Sequence, residues 1–334
     1  MNAFASFTGM RRLAWIAAAL ALLIIVFGAF VRLSNAGLSC PDWPTCYGKL
    51  TWPTQTHEVA SANQAFPDRP VETDKAWREQ VHRMLVGGLS LLTFALGIWA
   101  FVRRRDLGRV AVVAWLACVV IVFQALLGMW TVTLKLLPLV VTSHLIGGLT
   151  LFALLIYIAL RLTIRSVGER STVALRRMAI LGIVLLACQI FLGGWASANY
   201  AALACGLDFP TCLGQWHPPA DFESGFVLWR GVGVDYEGGV LDAPARTAIQ
   251  LAHRAGAIVV FVYGLALAFA AFRRRETKAL GIAIALALVL QVALGISNVR
   301  FGLPLPVATA HNGVAAILLA LLLTLVVRLR PRRA

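Results

Sequence analysis

The chain alternates between long apolar runs and short polar segments, and this alternation is the clearest signal in the sequence. Eight apolar runs are visible, each of roughly 20 residues and therefore long enough to cross about 30 Å of hydrocarbon as an α-helix. They lie at about 13–33, 82–102, 110–130, 138–160, 175–195, 248–271, 279–298 and 307–327. The pattern predicts an all-α membrane protein with eight transmembrane helices.

The composition supports the same class. Hydrophobic residues make up 60% of the 334 residues and charged residues only 13%, whereas about a quarter of the residues in a soluble domain are charged. The first apolar run follows a basic start, as in a signal peptide, but it is long for one. The internal repeat described below also makes it the counterpart of an internal helix, so we expect it to be retained.

The net charge of +15 raises the possibility of a nucleic-acid partner, but the placement of the charge argues against one. With eight spans, all the basic clusters fall on one side of the membrane. They lie at 11–12, 103–109, 161–177, 273–278 and 328–333. By the positive-inside rule that side is the cytoplasm, with both termini on it. The charge therefore predicts topology and contact with anionic membrane lipids, and no nucleic-acid partner.

The chain also contains an internal repeat with a period of about 165–171 residues. Residues 28–41 align with 193–206, and the segment from Asp42 to Cys46 aligns with that from Asp208 to Cys212. Both copies begin on the same side of the membrane. The repeat therefore predicts two homologous four-helix bundles in parallel arrangement, related by an axis along the membrane normal. We place the halves at 1–165 and 166–334.

Four histidines stand near the outer ends of predicted helices 2, 4, 6 and 8. They are His82, His144, His253 and His311. Two imidazoles on opposite walls of a bundle suit the two axial positions of a haem iron. Zinc is less well suited, because it takes four ligands, and a proton relay lacks further titratable groups in the helices. The plain alternative is that these are hydrogen-bonded polar residues at helix starts.

The two halves differ beside the histidines. Glu79 precedes His82 by three residues and shares its helix face, whereas the equivalent residue of the second half is Gln250. One interpretation is a reacting site in the first half and an electron-passing site in the second, because a carboxylate accepts protons or stabilises a developing cation. The alternative is a carboxylate at a helix N-terminus that interacts favourably with the macrodipole.

Arginines and cysteines complete the candidate residues. Arg83 and Arg254 each follow a histidine, and they suit either haem propionates or lipid headgroups. Two cysteine pairs lie in the long outer loops. They are Cys40 with Cys46 and Cys205 with Cys212. Each pair can close a short disulfide staple on the oxidising side of the membrane; a redox-active pair and a metal site are the alternatives.

Taken together, these motifs resemble the haem A synthase family over the whole chain. The resemblance rests on the EQVHR of residues 79–83, the TSH of 142–144, the LAHR of 251–254 and the TAHNG of 309–313, together with both cysteine pairs. The family oxidises a ring methyl of haem O to the formyl group of haem A, with oxygen that derives from water. The resemblance therefore implies a membrane oxidoreductase.

The resemblance also implies roles for residues of this chain. His82 and His144 would ligate the substrate haem, with Glu79 beside it as the catalytic carboxylate. His253 and His311 would ligate a resident haem b as cofactor. The family's functional cysteine pair corresponds to the one in the first loop.

The implied setting is the cytoplasmic (inner) membrane of a bacterium, with the haem sites toward the outer face. Haem O synthase would act upstream and cytochrome oxidase would receive the product. The main alternative function is a di-haem b-type electron-transfer cytochrome linked to quinol, which has no need for a carboxylate in one half only. A transporter that uses the histidines for cargo or protons is a second alternative.

Overall fold

The long apolar runs form long helices, as the hydropathy pattern predicts. The computed structural model describes residues 7–164, 166–167 and 172–331. The helices found there are α1 (Thr8–Leu33), α2 (Thr56–Ala65), α3 (Thr73–Val102), α4 (Arg104–Leu107), α5 (Arg109–Thr133), α6 (Pro138–Thr163), α7 (Val173–Ala198), α8 (Phe222–Gly225), α9 (Ala243–Phe272), α10 (Lys278–Arg300) and α11 (Leu305–Arg328). Eight of these are long and apolar enough to span a membrane, which confirms a multi-pass membrane protein. Residue 165, at the predicted boundary between halves, and parts of the basic clusters at 161–177 and 328–333 lie outside the described residues.

Two spanning helices begin well before their apolar runs. The helix α3 begins at Thr73 and α9 at Ala243, whereas the hydropathy pattern places these starts near 82 and 248. Backbone hydrogen bonds of a helix do not require apolar side chains, so polar turns extend both helices beyond the hydrocarbon layer. Consequently Glu79 and His82 lie inside a helix rather than at its start.

The eight spanning helices pack as two closed rings. Within the first ring, α1 contacts α3, α3 contacts α5, α5 contacts α6, and α6 contacts α1. The second ring repeats this order with α7, α9, α10 and α11. In each ring the two histidine-bearing helices, α3 with α6 and α9 with α11, stand on a diagonal. The rings meet where α1 contacts α11 and where α6 contacts α7 and α11.

Small residues allow this close packing. The helix α1, which packs against both rings, has a run of fully buried alanines at every third or fourth position. They are Ala14, Ala17, Ala18 and Ala21. In a membrane, small side chains let helices approach closely and gain dispersion contacts.

The two long connections, residues 34–72 and 199–242, lie at one end of the rings, which we call the loop end. The first contains α2, a helix too polar and short for the hydropathy pattern to reveal. It begins with a capping box in which the side chains of Gln55 and Glu58 satisfy each other's backbone N–H groups. Glu58 also pairs with Lys49.

Candidate functional site

Each of the four imidazoles packs against a glycine on the preceding spanning helix. A Cβ added to the glycine would lie 2.8 Å from His82 Nε2 at Gly28 and 3.4 Å from His144 Cε1 at Gly128. In the second ring it would lie 3.0 Å from His253 Cε1 at Gly193 and 3.2 Å from His311 Cε1 at Gly295. The glycines stand on one diagonal of each ring and the histidines on the other. Each imidazole therefore has room because the residue facing it is a glycine, which has no side chain.

The ring nitrogens of these histidines differ in their hydrogen bonding. Nδ1 of His144 and Nδ1 of His311 are buried and have no hydrogen-bond partner among the described residues. Buried polar atoms without partners are costly and uncommon in native proteins. His253 Nδ1 lies 3.0 Å from Gln189 Nε2, and the other nitrogen of His311, Nε2, lies 3.2 Å from Gln291 Nε2. His82 stacks beside Phe27, with ring centroids 6.4 Å apart.

The two histidines of each ring lie near each other. His82 and His144 are close enough to interact electrostatically, as are His253 and His311. In the part of the chain that the structure describes, no three His, Cys, Asp or Glu side chains cluster as a metal site would require. Two imidazoles on diagonal helices suit a haem iron, which needs two protein ligands, better than zinc, which takes four.

Glu79 forms hydrogen bonds with the loop that contains Cys40 and Cys46, which we call the first cysteine loop. Its carboxylate is buried, with 6% of the residue exposed. Oε2 accepts hydrogen bonds from Ser39 Oγ at 3.0 Å and from Cys40 N at 2.9 Å, and Oε1 pairs with Arg83 at 2.6 Å. Glu79 is the seventh residue of α3, beyond the first turn in which the macrodipole acts. The macrodipole therefore does not explain this carboxylate.

Arg83 also forms hydrogen bonds with the first cysteine loop. One terminal nitrogen donates to the carbonyls of Asp42 at 2.7 Å and Thr45 at 2.5 Å, and the other donates to Glu79. This loop contact is a role that the sequence did not reveal. The propionate contact expected for Arg83 stays a prediction.

Arg254 binds the second cysteine loop in the same way. Its terminal nitrogens donate to the carbonyls of Asp208 and Thr211, each at 2.8 Å. The propionate contact expected for Arg254 likewise stays a prediction. Gln250 is buried at the position of Glu79, so a glutamine stands beside Arg254 where a carboxylate stands beside Arg83.

Both cysteine pairs are disulfides. The Sγ–Sγ distance is 1.99 Å between Cys40 and Cys46 and 2.03 Å between Cys205 and Cys212. The predicted disulfides are therefore present, and redox activity stays a prediction. In the first loop Asp42 also accepts hydrogen bonds. Burial acts to raise the pKa of this carboxyl, but bonds from Thr45 and from backbone N–H groups hold the pKa below its ordinary value.

Comparison of the sequence with known proteins identifies the family of this chain. The family model described as cytochrome oxidase assembly protein, COX15-CtaA, matches residues 11–323. The chain belongs to this family. The resemblance inferred from the motifs is thereby confirmed.

Three proteins similar to this chain carry the name haem A synthase. The haem A synthase of Shewanella oneidensis is 44% identical over 306 residues, which cover 91% of this chain and 92% of the relative. The haem A synthase of Caulobacter vibrioides is 29% identical over 333 residues, covering 92% of each. That of Bacillus licheniformis is 25% identical over 251 residues, covering 73% and 70%.

The four glycines are the site residues of this COX15-CtaA protein that sequence reasoning missed. A signal for two of them was present, because Gly128 and Gly295 occupy matching QALLG and QVALG segments, each 16 residues before a histidine. That spacing marks the repeat but does not reveal a contact. Only the packing of neighbouring helices shows that each glycine faces an imidazole.

Proposed function

We propose that this protein is a haem A synthase, which oxidises a ring methyl of haem O to the formyl group of haem A within the membrane. The observation that carries the proposal is the asymmetry between two similar sites. Each ring of helices holds a diagonal pair of histidines against glycines, and among the described residues only the first ring has a buried carboxylate beside the pair. Membership of the COX15-CtaA family and the names of its relatives support the same function.

The division of roles follows the position of the carboxylate. His82 and His144 hold the substrate, haem O, by its iron in the first ring. His253 and His311 hold haem b in the second ring. When bound there, haem b supplies one-electron transfer, which an oxidation that releases electrons requires.

Glu79 is the catalytic carboxylate in this proposal. It shares a helix face with His82, so it lies beside the edge of a macrocycle that His82 ligates. Its hydrogen bonds with Ser39, Cys40 and Arg83 fix its orientation, so that the carboxylate is placed to accept a proton as the methyl group is oxidised. Gln250 keeps the shape of this side chain without that capacity.

The two rings are, in this proposal, homologous halves related by an axis along the membrane normal. The identical packing order of the helices in the two rings supports this relationship, as do the matching hydrogen bonds of Arg83 and Arg254 to loop carbonyls. So does Arg32, which donates to the carbonyl of Ser197 at 2.8 Å, because the repeat aligns these two residues with each other. The proposed halves are 1–165 and 166–334.

The proposed location is the inner membrane of a bacterium, with the loop end and the haem sites outward and both termini in the cytoplasm. The basic clusters at the opposite end support this orientation. Haem O synthase would supply the substrate and cytochrome oxidase would receive the product. The chemistry of substrate and product supports both partners, because haem O must be made before this step and haem A must be used after it.

Conversion of haem O tests the function directly. We expect a host that makes haem O but lacks its own haem A synthase to accumulate haem A when it expresses this chain, as measured by solvent extraction and chromatography. Glu79→Gln should reduce haem A at least a hundredfold while the haem spectra of the purified protein remain. Glu72→Gln, at an exposed carboxylate before α3, is the matched control and should leave haem A unchanged.

Two results would count against the proposal. Haem A at the wild-type level in Glu79→Gln would remove this residue from the chemistry. A wild-type protein that binds two haems but forms no haem A would favour the di-haem electron-transfer cytochrome.

A further inference from the structure

The two rings differ at the contact between their first two spanning helices, toward the loop end. In the second ring Trp195 of α7 packs with Ile249 of α9, and the exposed fractions are 1% and 0%. Trp195 Nε1 also donates to the carbonyl of Gly225 in α8 at 2.9 Å. This corner of the second ring is therefore closed by an apolar contact and covered by a short helix.

In the first ring, the repeat places Phe30 and Arg78 at these two positions. The Arg78 guanidinium lies 5.3 Å from the ring centroid of Phe30 and 5.9 Å from that of Trp77. These side chains are only half-buried. The corner that is sealed in the second ring is thus lined by aromatic faces and a cation in the first.

This corner leads to the candidate substrate site. Arg78 stands four residues before His82 on α3, on the same helix face and about 6 Å nearer the loop end. Phe27 connects the two, because its ring centroid lies 6.4 Å from that of His82 and 6.2 Å from that of Trp77. An aromatic surface therefore runs from the ligand histidine to the arginine.

The Arg78 guanidinium can also donate further hydrogen bonds to an anion. Its Nε atom is buried and has no hydrogen-bond partner among the described residues. It pairs with Asp74 at a distance of 3.7 Å, and the Asp74 side chain is 71% exposed, so the pair is weak. Both terminal nitrogens of Arg83, by contrast, are bound to the cysteine loop and Glu79.

We propose that the cluster of Phe27, Phe30, Trp77 and Arg78 is the port through which the substrate porphyrin enters the first ring, and that Arg78 binds a propionate of that porphyrin. The inference rests on the proposed function. A porphyrin offers flat apolar faces, which stack on aromatic rings, and carboxylates at one edge, which match the fork of a guanidinium. The closed corner at Trp195 and Ile249 retains the cofactor in the second ring.

Binding of a porphyrin with and without free carboxylates tests the role of Arg78. The probes are haem O and haem O dimethyl ester, each titrated into purified full-length protein from a host without haem O and followed by the Soret band. Wild type should bind the free acid at least tenfold more tightly than the ester, because charge-assisted hydrogen bonds to a carboxylate are lost in the ester. Arg78→Leu should lower that preference about tenfold.

Controls separate this effect from misfolding. Arg246→Leu removes an arginine at the loop end of α9 and should keep the wild-type preference. The spectrum of haem b should be unchanged in both variants. If Arg78→Leu does not fold, Arg78→Lys keeps one charge without the fork and should show an intermediate preference.

An undiminished preference for the free acid in Arg78→Leu, or a wild-type preference in Arg78→Lys when Arg78→Leu does not fold, would overturn the proposal. Failure of the proposed function would give a different result. The wild-type protein would then form no haem A, whatever binding preference the Arg78 variants show.

Discussion

At the scale of single residues, the contact between each histidine and its glycine determines how the imidazole lies. The contacts differ in tightness, from 2.8 Å at Gly28 to 3.4 Å at Gly128 for an added Cβ. A Cβ at 2.8 Å forces something to move, whereas 3.4 Å is an ordinary van der Waals contact. The four glycines therefore make a graded series in which one added carbon has different effects.

Gly28→Ala should displace His82 and reduce occupancy of the first site severalfold, because overpacking of this kind costs about 1–3 kcal/mol. Gly128→Ala should have little effect, and it is the matched control on the other glycine helix of the same ring. Haem content per protein after solvent extraction, with the Soret spectrum, measures both. Equal haem content in the two variants would contradict the graded contact.

The candidate site was predictable where chemistry is visible in residue type. The histidines and Glu79 stand out because polar residues are costly inside apolar helices. The loop contacts of Arg83 and Arg254 were not predictable, because the carbonyls they bind are some 40 residues away in sequence and carry no side-chain signal. The glycines were missed for the same reason: a contact partner is a property of packing.

At the scale of elements, the apolar runs predicted eight spanning helices because hydrocarbon thickness sets their length. The starts of α3 and α9 and the existence of α2 escaped that reasoning. The first turns of α3 and α9 are polar and extend past the membrane, and α2 depends on capping rather than on hydropathy. Just before α2 begins, the Glu58 carboxylate accepts hydrogen bonds from the backbone N–H groups of Thr54 at 2.9 Å and of Gln55 at 3.2 Å.

The start of α2 should be sensitive to acid. Hydrogen bonds from Lys49 and from those backbone N–H groups lower the pKa of Glu58 from 4.5 to about 2. A lowered folded-state pKa means that the carboxylate stabilises α2 fully above pH 4.5 and that this stabilisation is lost as the pH falls toward 2. Hydrogen exchange of the α2 amides should therefore accelerate, beyond the intrinsic pH dependence, between pH 4.5 and pH 2.

Glu58→Gln should show fast exchange in α2 already at pH 6 and no further change on acidification. Glu223→Gln, at an exposed carboxylate in the other long loop, serves as the control and should exchange as wild type does. Slow exchange in Glu58→Gln at pH 6 would show that the cap does not hold the helix.

At the scale of the whole molecule, the repeat predicted two halves but not the surface between them. Arg32 at the end of α1 crosses that surface. Its guanidinium lies 4.4 Å from the centroid of the Tyr200 ring, and it donates to the Tyr200 hydroxyl at 3.2 Å. These contacts join the two rings at the loop end. The aligned residue in the second half is Ser197, so this link is asymmetric and the repeat could not predict it.

Arg32→Gln should lower the thermal stability of the protein in detergent, because it removes a cation–π contact and hydrogen bonds worth about 1–2 kcal/mol together. Tyr200→Phe keeps the ring and removes only the hydroxyl, so its effect should be smaller. Arg246→Gln, an arginine that does not join the rings, should be neutral. Thermal unfolding followed by tryptophan fluorescence ranks the three, and equal melting temperatures for Arg32→Gln and wild type would contradict the link.

Gly193 and Gly194 are adjacent in the chain and face opposite sites. Gly193 lies against His253, while a Cβ at Gly194 would lie 2.9 Å from Leu145 and 3.3 Å from Thr142, which lie one residue after and two residues before His144. At this point the two candidate sites are separated by directly packed residues of α6 and α7. Under the proposed function, an electron that passes from one site to the other needs no mobile carrier, and in so poorly polarisable a medium the charge it leaves behind is strongly felt at the other site. Under the proposed function the two redox events would therefore be energetically coupled, and a potential measured at one site would depend on the charge state of the other.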